Sequence, residues 1–189
     1  MKKFELTSES IVKFGRTLFR IRALVAFGNV KEGELGGFLE KEENLAQDGN
    51  AWVGGNATVS GYATVCENAT VSGYATVCEN ATVRGYATVC GDAWVRGYAT
   101  VRGDAWVFKT SHYLVIGPMG SRNGFTTFFR AKNLFIGVSC GCFRGNVDEF
   151  VEKVKETHRD NKHAKVYLAA AELAKTQIDL TPEENEPEE

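Results

Sequence analysis

The chain has 189 residues, room for one medium domain or two small ones, and its 43% hydrophobic content supports a buried core. A net charge of −2 and a pI near 6.0 exclude a general electrostatic pull towards nucleic acid or acidic membranes. No apolar run approaches the roughly 18 residues that span a bilayer. The start, Met1-Lys2-Lys3-Phe4-Glu5-Leu6, lacks the apolar stretch of a secretory signal, so the sequence predicts a soluble cytoplasmic protein with no membrane partner. With no export signal and no C-x-x-C pair, the 5 cysteines are expected to be reduced thiols.

Residues 1–38 are expected to form an N-terminal β cap. Phe4-Glu5-Leu6-Thr7 and Leu18 to Leu24 are strand-like runs, and the open end of a solenoid needs such a cover. The body occupies 39–108. From Asn50 the sequence repeats every six residues, with alanine at ten successive positions from Ala51 to Ala105 and valine two places after each. Thr or Trp stands between them. A fixed short period marks a solenoid. Strand alternation puts Ala and Val on one side and Thr on the other, so the small and β-branched residues fill a prism. Leu39 and Leu45 fall on the alanine register by the same count. The turns need a residue tolerant of left-handed dihedrals, assigned to glycine at Gly61, Gly73 and Gly85 and to asparagine at Asn68 and Asn80.

These repeats resemble the hexapeptide-repeat superfamily. That likeness implies a left-handed parallel β-helix with coils of eighteen residues, and assembly as a homotrimer. The expected fold class is mainly β, with the β cap before the helix and a small C-terminal α+β (βββαα) domain after it. A second period, Gly-Tyr-Ala-Thr-Val-Cys-Glu-Asn-Ala-Thr-Val-Ser, recurs every twelve residues and does not match the coil. Cys66, Cys78 and Cys90 therefore fall on three different edges, too far apart for a bridge or a metal cluster. Trp52, Thr70, Thr88 and Trp106 share one outward column, Thr64, Thr82 and Thr100 another, and Trp94 lies on the third. Exposed indoles suggest burial by another subunit or by the terminal segments. Arg84 stacks over Arg102, and Asp92 and Asp104 are the acids expected to neutralise them.

Beyond Val107 the period stops, and 109–180 read as a separate α+β domain. A strand is expected from His112 to Ile116, a glycine-rich loop over 117–124, and a hairpin of Phe125–Arg130 with Leu134–Ser139. Asn146 and Glu149 make a capping box for a helix over Val147–His158. A second helix runs over Lys162–Gln177, and 181–189 form an acidic, disordered tail. Phe38-Leu39-Glu40-Lys41-Glu42-Glu43-Asn44-Leu45, the repeats, Gly117-Pro118-Met119-Gly120-Ser121-Arg122-Asn123-Gly124-Phe125-Thr126-Thr127-Phe128 and Cys140-Gly141-Cys142-Phe143 resemble bacteriophage and prophage proteins of unassigned function. The likeness implies a phage setting, hence the host cytoplasm, and carries no active site.

Hexapeptide acyltransferases resemble one another in using a histidine base at the helix, but the repeats hold no histidine and no insertion. A three-histidine metal site lacks ligands there too, so no metal and no cofactor are expected. The C-terminal domain holds the better candidates. Gly120, Ser121, Arg122 and Asn123 combine amides, a hydroxyl and a guanidinium suited to phosphate or carboxylate. Thr126, Thr127, Arg130 and Arg144 extend the set, and His158, Lys162 and His163 cluster at the helix junction. Cys140 and Cys142, read as sharing a strand face, allow a cysteine mechanism with His158 or His163. The sequence favours a non-enzymatic protein that sequesters a small anionic, nucleotide-derived immune signal of the host. Docking of a host protein and acyl transfer are the alternatives.

Overall fold

The structure is a computed structural model and describes residues 2–182. Most of the expected acidic tail, from residue 183 onward, lies outside the described residues. The chain divides into two compact units, Met1–Thr110 and Ser111–Glu189.

In the first unit the strands are β1 (Phe4–Lys13), β2 (Arg16–Ala23), β3 (Leu35–Leu39) and then β4 to β13, ten two-residue strands from Trp52–Val53 to Trp106–Val107. Every repeat alanine and valine from Ala51 to Val107 is buried to within 1%. Vertical neighbours are parallel and eighteen residues apart: Trp52 with Thr70, Thr58 with Thr76, Thr64 with Thr82. The strands fall into three stacks, a β-solenoid of about four turns. The backbone bonds that hold it run between coils, as from Thr58 N–H to the Ala75 carbonyl at 2.9 Å. Each unit satisfies its neighbour's amides, so two residues per strand are enough.

At the corners the left-handed residue is glycine, as at Gly61 (φ 70°) and Gly85 (φ 75°), but in two coils it is Glu67 and Glu79, each at φ 63°. The assignment to Asn68 and Asn80 is corrected: six residues on from Gly61 is Glu67. The left-handed backbone costs a side chain about 1 kcal/mol or more, and both carboxylates recover part of it. Glu67 Oε2 accepts the Gly85 N–H at 2.8 Å, and Glu79 Oε2 accepts the Gly97 N–H at 2.9 Å. Glu67 also meets Arg84 at 3.8 Å, so this glutamate, rather than Asp92 or Asp104, is the acid beside Arg84.

The lead-in coil is offset. Leu39 pairs with Val59 and Leu45 bridges to Val65, twenty residues apart, which places both leucines in the valine column and not the alanine column. Asn50 already sits over Asn68, amide to amide at 3.0 Å, so two extra residues lie between Leu45 and Asn50. Buried Asn44 anchors the coil, donating to the carbonyls of Gly61 and Ala63 at 3.2 and 2.8 Å.

The first strand of the cap is longer than the Phe4–Thr7 run the sequence suggests, and the cap joins a sheet edge. Strands β1 and β2 form an antiparallel hairpin, β2 pairs with β3, and β3 continues in parallel onto Thr58–Val59. The hairpin tip folds over the outer face: Lys13 Nζ donates to the hydroxyls of Thr58 and Thr76 at 3.1 and 2.9 Å. Trp52 is buried, with Phe27 edge-on at 5.6 Å. Two of the three indoles are thus covered within the unit, Trp94 by Phe14. Cys66, Cys78 and Cys90 are free thiols on separate corners.

In the second unit a four-stranded antiparallel sheet runs β14 (Tyr113–Met119), β15 (Gly124–Ala131), β16 (Phe135–Cys140), β17 (Phe143–Asn146), followed by α1 (Val147–His158) and α2 (Lys162–Gln177). The expected βββαα gains a strand. Phe143-Arg144-Gly145-Asn146 has no alternating pattern and runs straight into the helix cap, which hid it. Asn146 Oδ1 accepts the N–H groups of Asp148 and Glu149, while Glu149 Oε2 accepts that of Asn146. The core lies between sheet and helices, where Phe128, Ile136 and Val138 meet Phe150, Val154, Ala171 and Ala174. Among the described residues no helix is long and apolar enough to cross a membrane.

Candidate functional site

The site lies in the second unit, where two tight turns of the sheet face one stripe of α1. The first turn joins β14 to β15 and needs Gly120 twice over. Its φ is 73°, and a Cβ there would stand 1.8 Å from the Tyr167 hydroxyl. Asn123 also takes a left-handed φ, 49°. The second turn is Gly141-Cys142, between Cys140 and its partner Phe143. From α1 come Phe150, Lys153, Val154, Thr157 and His158, positions three and four apart that share a helix face.

Together they border a half-open cavity of about 650 Å³. Its walls are apolar and aromatic at Met119, Phe125, Phe143 and Phe150, and cationic at Arg122, Arg144 and Lys153. No carboxylate is among the lining residues. Lys153 is held by Glu156 at 2.7 Å, whereas Arg122 and Arg144 have no ion-pair partner among the described residues. The His158 ring stacks on Tyr167, centroids 5.6 Å apart, and Tyr167 meets Phe150 edge-on at 5.7 Å. Burial, and then the neighbouring Cys140 thiol, push the Tyr167 phenol above its ordinary range, while the Arg122 guanidinium pulls it down.

Of the residues the sequence singles out, Ser121, Arg122, Arg144 and His158 meet at this cavity. Gly120 and Asn123 shape the turn. Thr126 is buried and donates its hydroxyl to Cys140 Sγ at 3.0 Å, just behind the wall. Thr127 and Arg130 are also buried and do not line the cavity; Arg130 Nη2 donates to the Thr181 carbonyl at 3.4 Å. The physical reason is strand length, since six residues of β15 separate Arg130 from Gly124 by roughly 20 Å. Lys162 is exposed and outside the lining, and His163 stands behind His158, ring centroids 5.9 Å apart. Cys140 and Cys142 do not share a strand face. Cys140 ends β16, while Cys142 is exposed in the turn after Gly141, whose φ is 57°. Both thiols border the cavity.

Sequence reasoning missed Tyr167, Lys153 and the aromatic wall. The signal was present in α1, whose apolar stripe of Phe150 and Val154 runs on into Thr157 and His158 at helical spacing. Among the described residues no group of three His, Cys, Asp or Glu is placed to hold a metal ion. No protein-family model matches the chain and no curated protein is similar to it, so neither supports the likeness to bacteriophage proteins.

Proposed function

We propose that the protein binds and sequesters a small anionic, nucleotide-derived molecule in the cavity of its second unit, without turning it over. The observation that carries this reading is a cavity with aromatic walls and three cations and no lining carboxylate. A volume of about 650 Å³ lies within the roughly 300–1,000 Å³ of small-molecule sites. Guanidinium groups match phosphate oxygens in pairs, which suits Arg122 and Arg144 to the phosphates. Phe125 and Phe143 offer faces for a base. The likeness to phage proteins supplies the setting, in which an immune signal of the host is the molecule to be captured; host-protein docking remains the rival. Homotrimeric assembly belongs to the same proposal. It rests on the half-exposed Thr64, Thr82 and Thr100 column flanked by the exposed Tyr62 and Tyr98, and a monomeric mass by light scattering would remove it.

The test mixes the purified protein with cyclic nucleotides and ADP-ribose derivatives, measures thermal shift, and recovers the ligand after heating. Intact ligand supports sequestration and a converted one an enzyme. Arg122→Ala and Arg144→Ala should each weaken binding by about tenfold or more, given roughly 1.5–3 kcal/mol for a hydrogen bond to a charged group. Unchanged affinity in both variants, or no shift with any nucleotide, ends the reading.

A further inference from the structure

The nucleotide reading leaves two thiols at the cavity without a role. We infer that Cys142 and Cys140 form a thiol–disulfide exchange pair that acts on small anionic disulfides drawn to the cationic cavity. The inference rests on the cavity's charge but not on nucleotide binding.

The two sulfurs differ in ways that assign their steps. Cys142 is exposed, in the two-residue turn beside Arg144, and is the thiol an incoming molecule meets first. Cys140 is half-buried, with the Thr126 hydroxyl donating to its sulfur at 3.0 Å and the Tyr167 phenol near enough to interact with it electrostatically. Both stand where negative charge develops on Cys140 as it becomes a nucleophile. The chain between the cysteines is one glycine in a left-handed conformation. Two residues span at most about 7 Å, and a tight turn brings the Cα atoms into the range of roughly 4.4–6.8 Å that a disulfide requires. Burial pushes Cys66, Cys78 and Cys90 up, Cys90 to about 11, which leaves them little thiolate at neutral pH.

The exchange balances in two steps. The Cys142 thiolate attacks one sulfur of R–S–S–R, the S–S bond breaks, and one thiolate leaves with the proton that Cys142 gave up. The Cys140 thiolate then attacks Cys142 Sγ in the mixed disulfide and forms an intramolecular bond. The second thiolate leaves and takes the Cys140 proton. The disulfide gains two electrons and two protons from the protein and becomes two thiols. Arg122 and Arg144 select by charge, since a cationic cleft raises the local concentration of anions.

The experiment uses the reduced full-length protein and three disulfides: glutathione disulfide, which is anionic, neutral hydroxyethyl disulfide, and cationic cystamine. Quenched samples are read by intact mass and peptide mapping. The expected result is a glutathione adduct first on Cys142, succeeded by a Cys140–Cys142 bridge with release of two thiols. The anionic disulfide should react about tenfold or more faster than the other two, and Arg122→Ala should erase that margin. Cys140→Ser should stop at the adduct on Cys142. Equal rates for the three disulfides, a first adduct on a solenoid cysteine, or release of the second thiol from Cys140→Ser would overturn the inference. Nucleotide thermal shift, measured separately on the reduced wild-type protein, bears only on the capture reading, so the two can fail independently.

Discussion

The ring of Phe14 lies flat on the indole of Trp94, centroids 5.3 Å apart and planes 9° from parallel. Residues eighty apart in the chain are thereby joined. The stack pins the tip of the cap hairpin to the solenoid, with Lys13 gripping two threonines beside it. Trp94 is held from its other sides by Cys78 Sγ, which accepts the indole N–H at 3.3 Å, and by the Arg96 guanidinium over its ring at 4.9 Å. Phe14→Ala should therefore red-shift the tryptophan emission. It should cost about 0.5–1 kcal/mol, the lower part of the range for an aromatic pair, because Phe14 remains 66% exposed. An unchanged spectrum would mean that the tip does not rest there.

Gly120→Ala tests the turn against Tyr167. The added methyl meets the phenol oxygen and the backbone must hold a left-handed φ, so a loss of about 2–3 kcal/mol is expected in chemical denaturation. Adding Tyr167→Phe should return part of that loss, since it removes the atom that lies 1.8 Å from the new Cβ. A double variant as unstable as the single one would place the strain elsewhere.

Lys3 gives a pH signature. Its ammonium is buried and donates to the carbonyls of Asp48, Gly49 and Ala51, the last at 2.9 Å. Burial lowers its pKa from 10.5 to about 8, with Asp48 pulling it back up. Between those values the unfolded chain holds the proton and the folded one has shed it, so stability gained from this group rises with pH across that window. Compared with Lys3→Met, the wild-type protein should gain stability from about pH 8 to about pH 10.5, the window these two values set. A constant difference would refute the shift.

Alkylation at pH near 8 should report the thiols in order. Cys142 reacts first, and Cys66, Cys78 and Cys90, whose pKa values burial raises, react last. In denaturant all five cysteines should react alike. Early labelling of Cys90 in the native protein would contradict its placement.

The interior and exterior of a coil separate cleanly at adjacent positions. Ala81→Leu forces bulk into a filled column and should destabilise by about 1–3 kcal/mol. Thr82→Val, one residue on and half-exposed, should stay within about 0.5 kcal/mol. Similar costs for both would mean that the strand faces are reversed.

The solenoid was legible because its period is written ten times and each copy obeys the same alternation. The first helix was legible from its Asn146–Glu149 capping box, and both helices from their apolar spacing. The features that escaped depend on relations that no local pattern carries. The left-handed glutamates emerge only from counting the turn register, since carboxylate-to-amide bonds reach across a coil. The offset at 46–49 breaks a period and leaves no motif. For the candidate site, Arg122 and Arg144 were readable as cations near turns, but Arg130 looked the same in sequence and is buried at the far end of β15. Tyr167 passed for core, because its hydroxyl finds Cys140 and Gly120 only once the helix is docked.

The coil closes every eighteen residues while the written repeat is twelve long. Replication slippage that copied a single dodecapeptide would lengthen the prism by two-thirds of a revolution, moving each downstream tryptophan and arginine to a different side. Only three copies at once, two whole revolutions, restore the vertical columns. The gene can therefore grow or shrink without turning its downstream residues out of register only in triplets of its own repeat, so the geometry of the protein acts as a filter on the drift of its DNA.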